Sequence, residues 1–136
     1  MPQPNVDVVR ALFAAHGRGD EARIRALLAD DVVWHLPGST PVSGTHHGPD
    51  ALLDLWRREA VMLGGRVVPE LHDVTASDRH VVVLGGGDLR RGEETLSLRM
   101  VSVYHVAGGR ITECWLHVVD GMDAFERLWS SPPPPG

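Results

Sequence analysis

From Asn5 onward the apolar residues Val9, Leu12 and Phe13 recur at intervals of three and four, and His16 completes the stripe. This spacing predicts an amphipathic helix over 5–16, with Asn5 as its N-cap and Asp7 in its first turn. Gly17 and Gly19 stop it. Asp20 caps a second helix through Leu28, with Ile24, Leu27 and Leu28 turned inward, so the two helices form a hairpin. Positions 32–36 read as a strand closed by Pro37-Gly38, and 39–48 as a loop rich in Ser, Thr, Gly and Pro. Pro49 suits the first turn of a third helix that runs to about Leu63 and stops at Gly64-Gly65.

Beyond Arg66 the period changes. Segments 66–75, 79–90, 95–107 and 110–119 are rich in Val, Leu and Ile and are separated by short polar or glycine breaks, which predicts four antiparallel strands in a meander. A short helix over 122–129 follows. The chain is expected to form one domain over 1–130, with a Pro-rich flexible tail over 131–136. Helices first and strands later make the class α+β. Along 96–106, Leu96, Leu98, Met100, Ser102, Tyr104 and Val106 share one face, and Val101, Val103 and His105 the other. In the last strand Cys114, Leu116 and Val118 alternate with Ile111, Trp115, His117 and Val119. Neither face is wholly polar, and helices in so short a chain cover only one side. The other is expected to meet a second copy, giving a homodimer through the sheet.

Composition narrows the chemistry. The net charge is −5, and all 13 basic residues are arginines. The absence of lysine excludes a lysine Schiff base, and no basic patch suggests nucleic acid. No apolar run approaches a membrane span and no signal peptide opens the chain, so a cytoplasmic protein is the expectation. One cysteine, Cys114, excludes an internal disulfide. Acid–base chemistry falls to Asp, Glu, His, Tyr104 or Cys114.

The run Leu27-Leu28-Ala29-Asp30-Asp31-Val32-Val33-Trp34-His35-Leu36-Pro37-Gly38 resembles the helix-to-first-strand junction of SnoaL-like domains. Ser43-Gly44-Thr45-His46-His47-Gly48 resembles the loop that starts their third helix. Val103-Tyr104-His105-Val106 with Gly109-Arg110-Ile111-Thr112-Glu113-Cys114-Trp115 resembles their final hairpin. The resemblance spans about residues 5–129. It implies the superfamily of nuclear transport factor two, ketosteroid isomerases, limonene epoxide hydrolases and polyketide cyclases. It also implies a cone-shaped, curved antiparallel sheet wrapped around the N-terminal helices, as in a cystatin-like roll, with an apolar pocket between them. By the same resemblance, the isomerase base falls at Leu36, its tyrosine near Leu12 and its protonated aspartate near Ser102. The cyclase aspartate falls near Leu116 and the cyclase histidine near Ser102. None of these carries the family's ionisable group. The epoxide-hydrolase Asp-Arg-Asp set is not evident either, with only Arg99 and Asp120 left open for it.

The residues themselves point elsewhere. On the third helix Leu52, Leu55, Trp56, Met62 and Leu63 form one face, with Glu59 in its middle. A carboxylate so placed is desolvated, paired or open to a wet pocket. It is either an acid–base group or a rim partner of an arginine. His16 is either a pocket residue facing Glu59 or a group that satisfies the end of its own helix. Together they are the candidate catalytic pair. Trp34, Leu36, Trp56, Met62, Met100, Ser102, Tyr104, Cys114 and Leu116 are the candidate ligand-binding residues, each with core packing as its alternative. His46-His47 with Asp50 lacks metal-site spacing, so neither metal nor cofactor is expected. Arg57-Arg58 and Arg90-Arg91 read as solvated, and Gly85-Gly86-Gly87 as a bulge that curves the sheet. The functional expectation is a cofactor-independent isomerase or cyclase, or an epoxide-opening enzyme, for a small apolar polyketide- or terpenoid-like molecule. The alternative is a non-catalytic binding dimer.

Overall fold

The computed structural model describes residues 4–63, 70–91 and 93–130. The elements run α1 (Pro4–Arg18), α2 (Glu21–Leu27), β1 (Leu28–Leu36), β2 (Gly44–His47), α3 (Pro49–Leu63), β3 (Glu70–Ala76), β4 (His80–Arg91), β5 (Glu94–Ala107), β6 (Arg110–Asp120) and α4 (Met122–Ser130). The strands form one curved, unclosed sheet in the order β2-β1-β6-β5-β4-β3. The α+β class and the meander of β3 to β6 match the expectation. The expected all-antiparallel sheet needs one correction, because β1 runs parallel to β6. Predicted segment 66–69 and the tail 131–136 lie outside the described residues.

Local chemistry explains the boundaries. Asp20 accepts from the Arg23 amide at 3.1 Å and caps α2 as expected. Asn5 is not a cap: it lies inside α1, and its Nδ2 donates to the Asp78 carbonyl at 3.1 Å, tying α1 to the β3–β4 turn. Leu28 leaves the second helix with extended backbone and opens β1 four positions before the expected start. Ala29, Asp30 and Asp31 hid this strand, because they bear no apolar alternation. The short β2 was hidden in the same way by Gly44, Thr45 and two histidines.

The glycine triplet stays within the β4–β5 ladder, as Gly85, Gly86 and Gly87 pair with Met100, Arg99 and Leu98. The irregularity lies opposite, in β3, where His72 is the extra residue between Leu71 and Asp73. A Cβ on Gly86 would fall 2.2 Å from the Leu98 carbonyl oxygen, at a φ of +143°, so glycine is required there. A second irregularity at Thr112 resets the alternation of β6. Ile111 therefore shares the inner face with Cys114, against the expectation, and both are fully buried.

The helices and strands share one buried core. Val9 and Leu12 of α1, Leu52 and Leu55 of α3, and Phe125 and Trp129 of α4 meet Leu28, Val32, Trp34, Leu98, Tyr104 and Cys114 from the strands. Arg57, expected to be solvated, binds both carboxylate oxygens of Glu21 and fastens α3 to α2. Arg58 pairs with Asp54 one turn back at 3.4 Å. The side chains of Arg90 and Arg91 lie outside the described residues. No helix among the described residues is long and apolar enough to cross a membrane.

Candidate active site

Helices and sheet leave a cavity of about 130 Å³ between them. Its floor is β5 and β4, where Leu98, Met100, Ser102 and Tyr104 alternate inward beside Val83 and Gly85. β1 contributes Trp34 and Leu36, and β6 contributes Leu116. Leu12, Phe13 and His16 descend from α1, Leu55, Trp56 and Glu59 from α3, and Phe125 and Trp129 from α4.

Of the sequence-predicted residues, Glu59, His16, Trp34, Leu36, Trp56, Met100, Ser102, Tyr104 and Leu116 thus meet on one cavity. Met62 and Cys114 are corrections, since neither lies on its wall. Met62 packs on the core at the end of α3. Cys114 is fully buried behind Tyr104. Phe125 and Trp129 are additions, brought there when α4 folds back over β5 and β6. The sequence placed that helix but held no signal for which wall it closes.

The rings are arranged edge to face. Trp34 meets Trp56 at 5.5 Å between centroids and Tyr104 at 5.8 Å. His16 stands against Trp56 at 4.9 Å, and Phe13 against Tyr104 at 6.4 Å. Each pair places the positive edge of one ring on the negative face of the next. These contacts fix the wall residues without using up the cavity.

Glu59 lies one turn beyond Leu55 and Trp56, so the helix period carries it to the cavity. Its carboxylate has no hydrogen-bond or ion-pair partner among the described residues. No polar side-chain atom among those residues is sealed off without a partner, so the Glu59 oxygens reach the cavity space. Burial pushes its pKa up to about 7. On the floor, Ser102 donates to the Tyr104 oxygen at 3.1 Å. Tyr104 is left with its own hydrogen to give, to the Cys114 sulfur or to an oxygen placed in the cavity. Burial pushes the Tyr104 hydroxyl and the Cys114 thiol well above their usual values. Their mutual contact adds to the Tyr104 shift, and the Ser102 hydrogen bond opposes it.

Arg99 and Asp120 do not enter this site. They pair across β5 and β6 with exposed side chains and border a separate hollow at the glycine triplet on the outer side of the sheet. His46 donates from Nε2 to the Val42 carbonyl at 2.6 Å and holds the loop before β2. Three or more His, Cys, Asp or Glu side chains do not gather into a metal-binding group among the described residues.

A model of the SnoaL-like domain matches residues 9–114. The chain belongs to the SnoaL-like domain family. The uncharacterized protein Rv0034 of Mycobacterium tuberculosis (strain H37Rv) is 32% identical over 127 residues, covering 93% of this chain and 96% of that protein. Among solved structures, this SnoaL-like chain superposes on Bal32a from a soil-derived mobile gene cassette with a TM-score of 0.85. The identity is 27%, over 93% of this chain and 96% of Bal32a. An NTF2-like protein from Burkholderia xenovorans LB400 gives a TM-score of 0.80 at 29% identity, over 96% and 98% of the two chains.

Proposed function

We propose that this SnoaL-like protein is an acid–base enzyme that isomerises or cyclises a small, mostly apolar metabolite and needs no cofactor to do so. One observation carries the reading: the Glu59 carboxyl, without a partner among the described residues, opens onto an aromatic cavity with a proton affinity near neutrality. A carboxyl in an ordinary setting is ionised at pH 7 and is a weak base. One that titrates near 7 both gives and takes protons at useful rates. His16 on the same wall is the natural second station for the proton. Tyr104, backed by Ser102, supplies a neutral donor for a substrate oxygen. Two proteins share the fold: IdmH, a putative polyketide cyclase from Streptomyces antibioticus, and an M. tuberculosis LEH-like epoxide hydrolase. Their identities of 19% and 23% carry the fold alone.

The test is turnover of a panel of polyketides and terpenoids by the Glu59→Gln variant. Activity should fall by about two to four orders of magnitude, with thermal unfolding as cooperative as in the parent. Undiminished turnover would remove Glu59 from the chemistry. A second reading, binding without catalysis, is favoured by Leu36, Ser102 and Leu116 at positions where the family's acid–base groups are expected. It predicts that Glu59→Gln leaves ligand affinity intact and that neither protein converts any compound.

We further propose that the protein works as a homodimer through the outer face of the sheet. That face leaves Leu84 at 40% and Val119 at 66% exposed, with Trp115 and Val103 half-buried beside them. Sedimentation of Val103→Asp at micromolar concentration should show a monomer where the parent is dimeric. A monomeric parent would dispose of the idea.

A further inference from the structure

The chain has four tryptophans, two phenylalanines and one tyrosine, and every one of these rings except Trp115 lines the cavity. So strong a concentration is more than a core of this size requires, since leucine and valine fill the rest of the interior. The faces of such rings carry negative potential. The same wall holds the Glu59 carboxylate with no cation beside it among the described residues. Among the described residues no arginine lines this wall, and the chain has no lysine at all. His16 is the sole basic side chain on it among the described residues, and its ring lies edge to face with Trp56.

The rings and the carboxylate disfavour an anion and favour a cation. A negatively charged ligand would lose its water and meet aromatic rings and a carboxylate, with the Tyr104 hydroxyl as its one neutral donor on the floor. A bulky cation would meet an aromatic wall and neutralise the Glu59 carboxylate, which has no partner among the described residues. We propose that the cavity is a receptor for an apolar-bodied organic cation, with the aromatic rings as its cage and Glu59 as its counter-ion. This deepens the enzymatic reading and rests on the same cavity being a ligand site. Of the charged intermediates that acid–base chemistry produces, these walls hold the one with positive charge on the substrate.

The test uses three probes of similar shape: benzyltrimethylammonium, its uncharged carbon isostere neopentylbenzene, and benzylsulfonate. Binding is read by quenching of the cavity tryptophans and by calorimetry. The pH is about 8, above the titration of Glu59, so that the carboxylate is ionised. The cation should bind at least about tenfold more tightly than neopentylbenzene, and benzylsulfonate most weakly. Glu59→Gln should cut the cation's advantage about fivefold or more while leaving neopentylbenzene unchanged, and Trp56→Leu should weaken the cation more than Trp56→Phe does. Equal or tighter binding of neopentylbenzene would overturn the cation receptor and leave the cavity standing as a ligand site. Failure of all three probes to bind, with circular dichroism showing an intact fold, would overturn both.

Discussion

The two faces of β5 and β6 are built from alternating residues of the same strands, and they treat charge in opposite ways. Outside, His35, Glu113 and His105 each have a neighbour that answers them. His35 donates from Nε2 to Glu113 at 2.6 Å, takes a contact from Thr45 at 3.2 Å through Nδ1, and stacks on Trp115 at 5.8 Å. His105 meets Thr112 at 2.9 Å, and its ring lies 5.4 Å from that of His80. Inside, Glu59 has no such answer among the described residues, although the cost of leaving it alone is higher there. A sequence shaped for stability alone would put leucine at position 59, as it does at 52 and 55. The outer face shows that this chain readily pairs its charges. The unpaired acid inside is therefore the feature that stability does not explain.

The difference is broken most severely by removing a ring from each face. Trp34 is 6% exposed and touches both Trp56 and Tyr104. Trp34→Ala should cost about 3–5 kcal/mol in urea unfolding, because the cavity wall has no other atoms to close the gap. Trp115→Ala on the outer face removes a half-buried ring that touches histidines. Measured on dilute protein, its cost should be about 1 kcal/mol. Equal costs would mean that the inner cavity collapses on itself and is no preformed site.

The next largest effect concerns Glu59 and its pH dependence. In the unfolded chain the carboxyl titrates near its ordinary value of 4.5, and in the folded chain at about 7. Below the lower value both forms hold the proton and folding is indifferent to it. Between the two, only the unfolded chain releases it, so the folded state loses stability as pH rises, and above about 7 the loss is complete. The gap amounts to about 3 kcal/mol at most. Glu59→Gln should therefore match the parent near pH 4 and exceed it by up to that amount near pH 8. Paired urea titrations across this range check the claim, and a constant difference between the two proteins refutes it. A variant that gains stability while losing turnover would place the residue among those kept for chemistry at a structural cost.

How much of this was legible beforehand follows from what periodicity can see. The helix period placed Glu59 and His16 on inward stripes, and strand alternation placed Trp34, Leu36, Met100, Ser102 and Tyr104 on one face. All seven meet at the cavity because backbone geometry alone sets those directions. The failures share one cause as well. Strict alternation puts Ile111 on the wrong face because a single extra residue, Thr112, inverts a period of two. Leu28 and β2 carry no strand signal of their own because their partners, not their own side chains, make them strands. Met62 lies one turn beyond Glu59, yet the cavity ends before it. Phe125 and Trp129 reach the wall only through the docking of α4, which no local pattern encodes.

The smallest effect tests whether the outer pair is structural in the way the contrast requires. His35 and Glu113 keep about a third of their side chains exposed, at 34% and 33%. An ion pair at that depth gains little after hydration and side-chain ordering are counted. His35→Ala should thus destabilise the folded chain by no more than about 1 kcal/mol. The removed ring also frees Thr45 and uncovers Trp115, but both lie at the surface, where water replaces what is lost. The informative measurement is a double-mutant cycle with Glu113→Gln, run beside turnover. A coupling below about 1 kcal/mol with unchanged kcat/KM keeps the outer face structural and leaves the chemistry inside. A coupling several times larger, or a loss of activity from His35→Ala alone, would mean that charge on the outer face communicates with the cavity through β1, whose next residue, Trp34, stands on the opposite side.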